Sequence, residues 1–258
     1  MSDPIRIHVE DDVLRIAFAR PEKKNAITNQ MYGLLAAALH RAESDDGIRA
    51  VLFEADGEVF TSGNDINDFA AIASGQLPAS EMHVGGFLKA LATAEKPYVA
   101  AVNGLAVGIG TTLLMHCDLV YVAEDARLTT PFVNLALVPE AASSWLIPAR
   151  IGHARAFAMF ALGEAVDGRT AASIGLANEA LPATQVREKA LQAAKALARR
   201  PAGALRATKK LMRDAAQITA VMDRELALFA QRLNSAEAAE AFRAFAERRQ
   251  PDFTKLKG

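Results

Sequence analysis

The sequence predicts an α/β fold followed by an α-helical C-terminal region. Three observations carry that prediction. Segments with strand character alternate with segments of helical period as far as about residue 180. From Gln185 onward only helical patterns remain, rich in Ala, Leu, Arg and Lys and broken at Arg200-Pro201. The 258 residues, 51% hydrophobic and 23% charged, hold enough apolar volume for one large core.

The elements follow in order. Ile5, Ile7 and Val9 alternate with polar residues, as do Leu14, Ile16 and Phe18 beyond Asp11-Asp12, which predicts a hairpin with one buried face. Arg20 to Asn25 is a polar loop. Thr28 is placed to cap a helix reaching about Glu43, with Met31, Leu34, Leu35 and Leu39 at helical spacing. Arg49 to Glu54 reads as a buried strand, and Ala55 to Asp68 as a loop with Gly57 and Gly63. Residues 70–86, rich in Ala, Gly and Ser, read as a mobile, partly helical excursion. Tyr98 to Asn103 and Asp118 to Val122 are further core strands. Between them Gly104 to Gly110 reads as a turn, with a short apolar helix opening near Ile109. Helices are expected at about 141–151, 153–162 and 170–176. No internal repeat or low-complexity tract is present.

Composition narrows the function. With 29 basic and 30 acidic residues the formal net charge is −1, so neither a nucleic acid nor an anionic membrane is favoured as a partner. The single cysteine, Cys117, forms no internal disulfide, which fits a reducing, cytoplasmic compartment. Met1 to Glu10 has no apolar targeting segment, and the longest uncharged apolar run, Pro97 to Cys117, is interrupted by Asn103, His116 and glycines. The five histidines are scattered, so no metal site is expected, and His116 reads as a hydrogen-bonded core residue. The chain has no G-x-S-x-G elbow and no phosphate-binding P-loop. Gly108-Ile109-Gly110 begins like a dinucleotide fingerprint but lacks the third glycine and the later acidic residue.

Three features remain. Two glycine turns, Thr61-Ser62-Gly63-Asn64-Asp65 and Gly108-Ile109-Gly110, follow strands where backbone N–H groups can be left free. They are either plain turns or, if they converge, an oxyanion hole. The third is Glu140, in the apolar stretch Leu135 to Trp145. It either caps the following helix or is a base of raised pKa, and spacing alone does not choose.

These residues resemble the crotonase, or enoyl-CoA hydratase/isomerase, superfamily over about residues 5 to 253. The resemblance rests on Arg20-Pro21 with Asn25-Ala26, on Phe60 to Ile66, and on Ala101-Val102-Asn103-Gly104 with Gly108-Ile109-Gly110. Cys117-Asp118, Gly163-Glu164 through Ala172, Gly175-Leu176, Pro182 and Phe245 to Arg249 extend it. It implies a crotonase-like spiral of ββα units over 1–200 with the CoA-thioester site. It further implies a helical region over 201–258 that serves oligomerisation, in a homotrimer or a dimer of trimers, and covers the CoA. The substrate would be an acyl-CoA thioester, with no cofactor beyond the CoA it carries. The backbone N–H groups of Asn64 and Ile109, beside Gly63 and Gly108, would be the oxyanion donors. The loop with Lys23, Lys24 and Ala26 would hold CoA, or else is simply solvated. Ser62, Asp65 and Ile66 would line the adenine pocket, and Phe245 and Arg248 would reach a neighbouring subunit's CoA.

Departures from the family pattern bear on the reaction. A typical enoyl-CoA hydratase has glutamates where this chain has Thr112 and Phe132. The chain is more similar to peroxisomal-type Δ3,Δ2-enoyl-CoA isomerases, which share Ser62 to Asp65, Ala106 to Ile109, Thr130 to Phe132 and Pro139 to Ser144. That resemblance makes Glu140 the sole acid/base, with Phe132 keeping the site dry. The expected reaction is transfer of a double bond from C3 to C2 of an enoyl-CoA. The alternatives are a hydratase in which Glu140 acts through water, another reaction on a cyclic acyl-CoA, and an acyl-CoA-binding protein without catalysis.

Overall fold

The structure, a computed structural model, describes residues 3–65, 68, 78, 81–254 and 256. Ile66 and most of the 70–86 excursion lie outside the described residues. The hairpin forms as expected from β1 (Ile5–Glu10) and β2 (Val13–Phe18). Asp11 and Asp12 have φ of 48° and 62°, the left-handed pair that a two-residue turn needs to match strand twist. Helix α1 (Asn29–Ser44) begins where the Thr28 hydroxyl accepts the Met31 N–H.

Beyond α1 the chain alternates between two sheets. Strands β3 (Ala50–Ala55), β5 (Tyr98–Val102), β7 (Leu119–Ala123) and β10 (Glu179–Leu181) extend the hairpin in the order β1-β2-β3-β5-β7-β10. All of these pairings after the first are parallel. β3 and β5 are buried along their whole length, which is why they read as apolar runs without alternation. A smaller sheet takes β4 (Val59–Thr61), β6 (Leu105–Val107), β8 (Arg127–Thr129) and β9 (Val166–Asp167), in that order. A core strand, a short strand of the second sheet and a helical segment make one unit. Successive units stack as the expected spiral of ββα units.

The short strands are where the sequence reading falls short. The segment 104–110 contains β6 rather than only a turn, β4 lies inside the stretch 55–68 read as a loop, and β8, β9 and β10 carried no expectation. Strands of two or three residues are too short to show a period of two.

Helix α2 (Val84–Ala92) packs on α1, and α3 (Ile109–Thr112) is a single turn that tightens into a 3₁₀ segment ending at His116. Helices α4 (Ser143–Ile151), α5 (His153–Phe157) and α6 (Gly168–Ile174) follow. The C-terminal third is α7 (Ala183–Ala198), α8 (Ala202–Met212), α9 (Ala215–Leu233) and α10 (Ala236–Ala246), with the break after Arg200 as read. No helix among the described residues is long and apolar enough to cross a membrane.

Just before β6, an added Cβ on Gly104 would lie 1.9 Å from the carbonyl oxygen of Glu58, which precedes β4. Only hydrogen fits, so Gly104→Ala has to push β6 away from β4. We expect it to lower unfolding stability by about 3 kcal/mol or more, read from the midpoint of urea denaturation. Wild-type stability in this variant would contradict the close approach.

Candidate active site

Parallel pairing of β4 with β6 brings their C-terminal ends together, and with them the two glycine turns. Gly63, with φ 86°, lies against Val107, whose carbonyl oxygen would be 2.9 Å from a Cβ there. Gly110 faces Thr61, whose methyl group would be 2.5 Å from its Cβ. Gly108, between β6 and α3, has φ 56° and ψ −118°, a conformation open to glycine and little else.

The first turn is fixed by residues 24–27 running beside it. Ile27 N–H donates to Gly63 O at 2.8 Å, Asp65 N–H to Ile27 O at 2.9 Å, and Ser62 N–H to Lys24 O at 2.9 Å. Buried Asn25 ties that segment down through Asp56 O and Val59 O. Every N–H around Asn64 is therefore taken, and Asn64 N–H finds no acceptor among the described residues; the same holds for Ile109 N–H. Helix α3 spans only four residues, so the donors at this turn are the N–H groups themselves rather than the dipole of a long helix.

Glu140 enters from the segment before α4. Its side chain is buried, and its Oε1 accepts from the Thr112 hydroxyl at 2.5 Å. Burial pushes this carboxyl up to about 8, the nearby Glu225 carboxylate adds to the rise, and the Thr112 hydrogen bond opposes it. Glu140 is not a helix cap: α4 begins at Ser143, and the carboxyl turns to Thr112 instead.

The next two residues, Ala141 and Ala142, are both left-handed, with φ of 59° and 56°. Their backbone is held from two sides. Ala142 N–H and Ser144 N–H donate to Glu225 Oε2 and Oε1 at 2.6 and 2.9 Å. His116 Nε2 lies 2.8 Å from Ala141 O, and Arg213 donates to His116 Nδ1. With Nδ1 accepting, Nε2 carries the proton and donates to the carbonyl. Burial, then the Arg213 charge, lowers the His116 pKa to about 3, so the ring is neutral. His116 is the core residue the sequence suggested, and it grips the turn that carries Glu140.

Glu140 and Asn64 share a cavity of about 300 Å³. Its walls include Tyr32 from α1, Val84 and Leu88 from α2, and Leu226, Phe229 and Leu233 from α9. Asp65 lines it too and pairs with Arg20 at 3.5 Å. Tyr32 OH donates to Asn64 Oδ1, and burial, with the charges of Glu140 and Asp68 behind it, raises the phenol well above its usual value.

Not every candidate converges there. Ile109 and Gly108 lie at the adjoining turn and are not in the cavity wall among the described residues. Phe132 is not in that wall either; its ring packs on Phe160 with centroids 6.2 Å apart. Lys23 and Lys24 are exposed, Ala26 and Ser62 are partly buried, and Phe245 and Arg248 stand exposed at the end of α10 and just beyond it. No cluster of three metal-ligating side chains occurs among the described residues. Tyr32 and Glu225 were missed, although both left a signal. Tyr32 shares the spacing of Leu35 and Leu39, and Glu225 interrupts the apolar stripe of Ile218, Met222 and Phe229.

Comparison with known proteins defines the class. The family model described as enoyl-CoA hydratase/isomerase matches residues 8–256, and the chain belongs to that family. It is 33% identical to 1,2-epoxyphenylacetyl-CoA isomerase of Escherichia coli K12, over 98% of this chain and 99% of that one. It is 34% identical to enoyl-CoA delta isomerase 2 of Rattus norvegicus, over 96% of this chain and 64% of that longer protein. The crystal structure of an enoyl-CoA hydratase/isomerase from Pseudoalteromonas atlantica T6c superposes with a TM-score of 0.92 at 39% identity, covering 97% of this chain and all (100%) of that one.

The raised pKa of Glu140 has a consequence for stability. A folded-state value of about 8, above the ordinary 4.5, means that folding favours the protonated carboxyl. That contribution is complete below pH 4.5 and is lost as pH rises through 8. Glu140→Gln is neutral throughout, so it is expected to exceed the wild type in unfolding free energy at pH 9 by ~2–4 kcal/mol and to match it near pH 4.5. Urea titrations at the two pH values measure this, and equal stability at pH 9 contradicts a buried, charged Glu140.

Proposed function

We propose that this protein is a Δ3,Δ2-enoyl-CoA isomerase in which Glu140 is the only acid/base group. The observation that carries the reading is the Thr112–Glu140 hydrogen bond. Thr112 occupies the place where a typical hydratase of the family has one of its two glutamates. Here that place holds a neutral hydroxyl in contact with the Glu140 carboxyl. Both curated relatives named above are isomerases of CoA thioesters by name, which supports the same choice.

The thioester carbonyl of a 3-enoyl-CoA accepts from Asn64 N–H and Ile109 N–H. Glu140 takes the proton from C2, and the electron pair left behind delocalises over C2 to C4 and the thioester oxygen as a dienolate. Each N–H contributes ~3 kcal/mol to holding that charge, because the donors are fixed and need no reorganisation. The protonated Glu140 then gives its proton to C4, leaving the double bond between C2 and C3. One carboxyl serves both carbons when they lie on the same face of a bent acyl chain. A base near pKa 8 is well matched to a weakly acidic C2 proton. The apolar wall of Val84, Leu88, Leu226, Phe229 and Leu233 suits an aliphatic or aromatic acyl group and disfavours water.

Glu140→Gln is expected to lower kcat by about 10³-fold or more with little change in KM, and to abolish exchange of the C2 proton into deuterated water. Conversion of 3-enoyl-CoA of graded chain length into 2-enoyl-CoA is the assay. Retention of most of the wild-type rate rejects the assignment, and 3-hydroxyacyl-CoA formed from 2-enoyl-CoA at a comparable rate favours the hydratase. Thr112→Val removes the hydrogen bond that holds the Glu140 pKa down. The rise of kcat/KM with pH, which reports the ionised base, should then move to higher pH by about one unit. An unmoved profile excludes that coupling.

A further inference from the structure

We propose that Glu225, on α9 of the C-terminal region, is a positioning residue for Glu140, clamping the left-handed turn at Ala141-Ala142 against the Arg213–His116 pair on its other side. The proposal rests on the reading of Glu140 as the base.

Two consecutive alanines with positive φ are costly, about 1–2 kcal/mol each, because the Cβ crowds the carbonyl. Such a turn persists only where its surroundings determine it. Here both hydrogen-bonding directions of the turn are claimed. The two oxygens of Glu225 take the N–H groups of Ala142 and Ser144, and the His116 imidazole gives its proton to the Ala141 carbonyl. The Ser143 N–H closes back on Glu140 O at 3.0 Å. The strained residues directly follow Glu140, so their setting decides where its carboxyl points.

Glu225 itself is buried, and burial raises its pKa while the Ala142 and Ser144 donors oppose the rise. A buried carboxylate at an apolar-stripe position is expensive unless it is fully engaged. Both of its oxygens are engaged by the turn. The same helix supplies Leu226, Phe229 and Leu233 to the cavity wall. A single side chain thus joins the wall that meets the acyl group to the group that attacks it.

The clamp also carries charge. Glu140 is faced by Thr112 from α3, by Tyr32 from α1, by Asp65 and Asp68 beyond β4, and by Glu225 from α9. Glu225 is faced by Arg224 on its own helix and by the amide groups at the start of α4. The Glu225 anion opposes ionisation of Glu140, so removing it lets Glu140 ionise at lower pH.

The test uses the full-length protein with ¹³C-labelled glutamate. The Glu140 carboxyl, assigned by its absence in Glu140→Gln, is titrated by NMR alongside amide exchange and isomerase kinetics. Glu225→Gln is expected to lower kcat by about 10–10²-fold with KM nearly constant, as expected for a misplaced base. It should shift the Glu140 midpoint from about 8 downward by about one pH unit. It should also speed exchange at Ala142 and Ser144. Glu225→Asp keeps the charge on a shorter arm, so the midpoint should stay high while exchange accelerates. If Glu225→Gln fails to fold, His116→Gln loosens the other side, with kcat falling and the midpoint holding.

Unchanged exchange at Ala142 and Ser144 in Glu225→Gln, or an unmoved Glu140 midpoint, overturns the proposal whatever happens to the rate. Full activity in Glu140→Gln would instead reject the reading of the base, while the exchange and titration data still report on the clamp.

Discussion

The contact between the two glycine turns is the constraint on which the site depends. Parallel strands β4 and β6 end side by side, and Gly63 against Val107 with Gly110 against Thr61 leaves no room for a side chain between them. That closeness, with neighbouring N–H groups spent on residues 24–27 and on Thr129, isolates the two at Asn64 and Ile109. Ile109 is buried, so leaving its N–H without an acceptor costs ~1–3 kcal/mol. Under the proposed function, a thioester oxygen bound there recovers that cost, and recovers most when it bears negative charge.

Glu140 is the second half of the same design, and its basicity is set by opposing influences. Burial and the Glu225 charge raise its pKa; the Thr112 hydroxyl restrains it. A carboxyl left at its ordinary value would be too weak a base for a proton next to a thioester. One raised much further would be ionised in too small a fraction at neutral pH to serve as a base. The balance near 8 costs folding stability in exchange for reactivity, the familiar conflict between a stable core and a poised group. It also explains why an expensive left-handed turn is tolerated: the turn brings an acid into an apolar pocket where no helix cap would leave it.

Much of this was legible in the sequence, and the gaps have physical causes. The β1–β2 hairpin, the Thr28 cap and the buried strands β3, β5 and β7 announce themselves because several residues repeat the same period. The second sheet does not, since its strands are two or three residues long and gain their stability from pairing rather than pattern. Asn64, Ile109 and Glu140 were singled out through motif order, not through spacing, which left the turns and the carboxyl open to plainer readings. Tyr32 and Glu225 come from helices far away in the chain, and only the fold brings them to the site. Phe132 was expected to keep the site dry; its ring packs on Phe160, outside the wall of the cavity that holds Glu140.

The C-terminal helices change meaning in the same way. Read as a sequence, α9 is an alanine-rich amphipathic helix suited to the chain's own core, to which the family resemblance adds packing between subunits. In the fold its stripe of Leu226, Phe229 and Leu233 closes the cavity of its own chain, and Glu225 on the same helix reaches the turn behind Glu140. The number of ionisable groups at the reacting carbons then turns on position 112. A carboxylate there would stand within hydrogen-bond reach of Glu140, and two like charges in a dry pocket would share one proton, giving an acid and a base suited to handling water. A hydroxyl there leaves one group with one proton to move. Under the proposed function, a substrate whose enolate is held by two amides uses a single mobile proton by returning it to the far end of the allylic system.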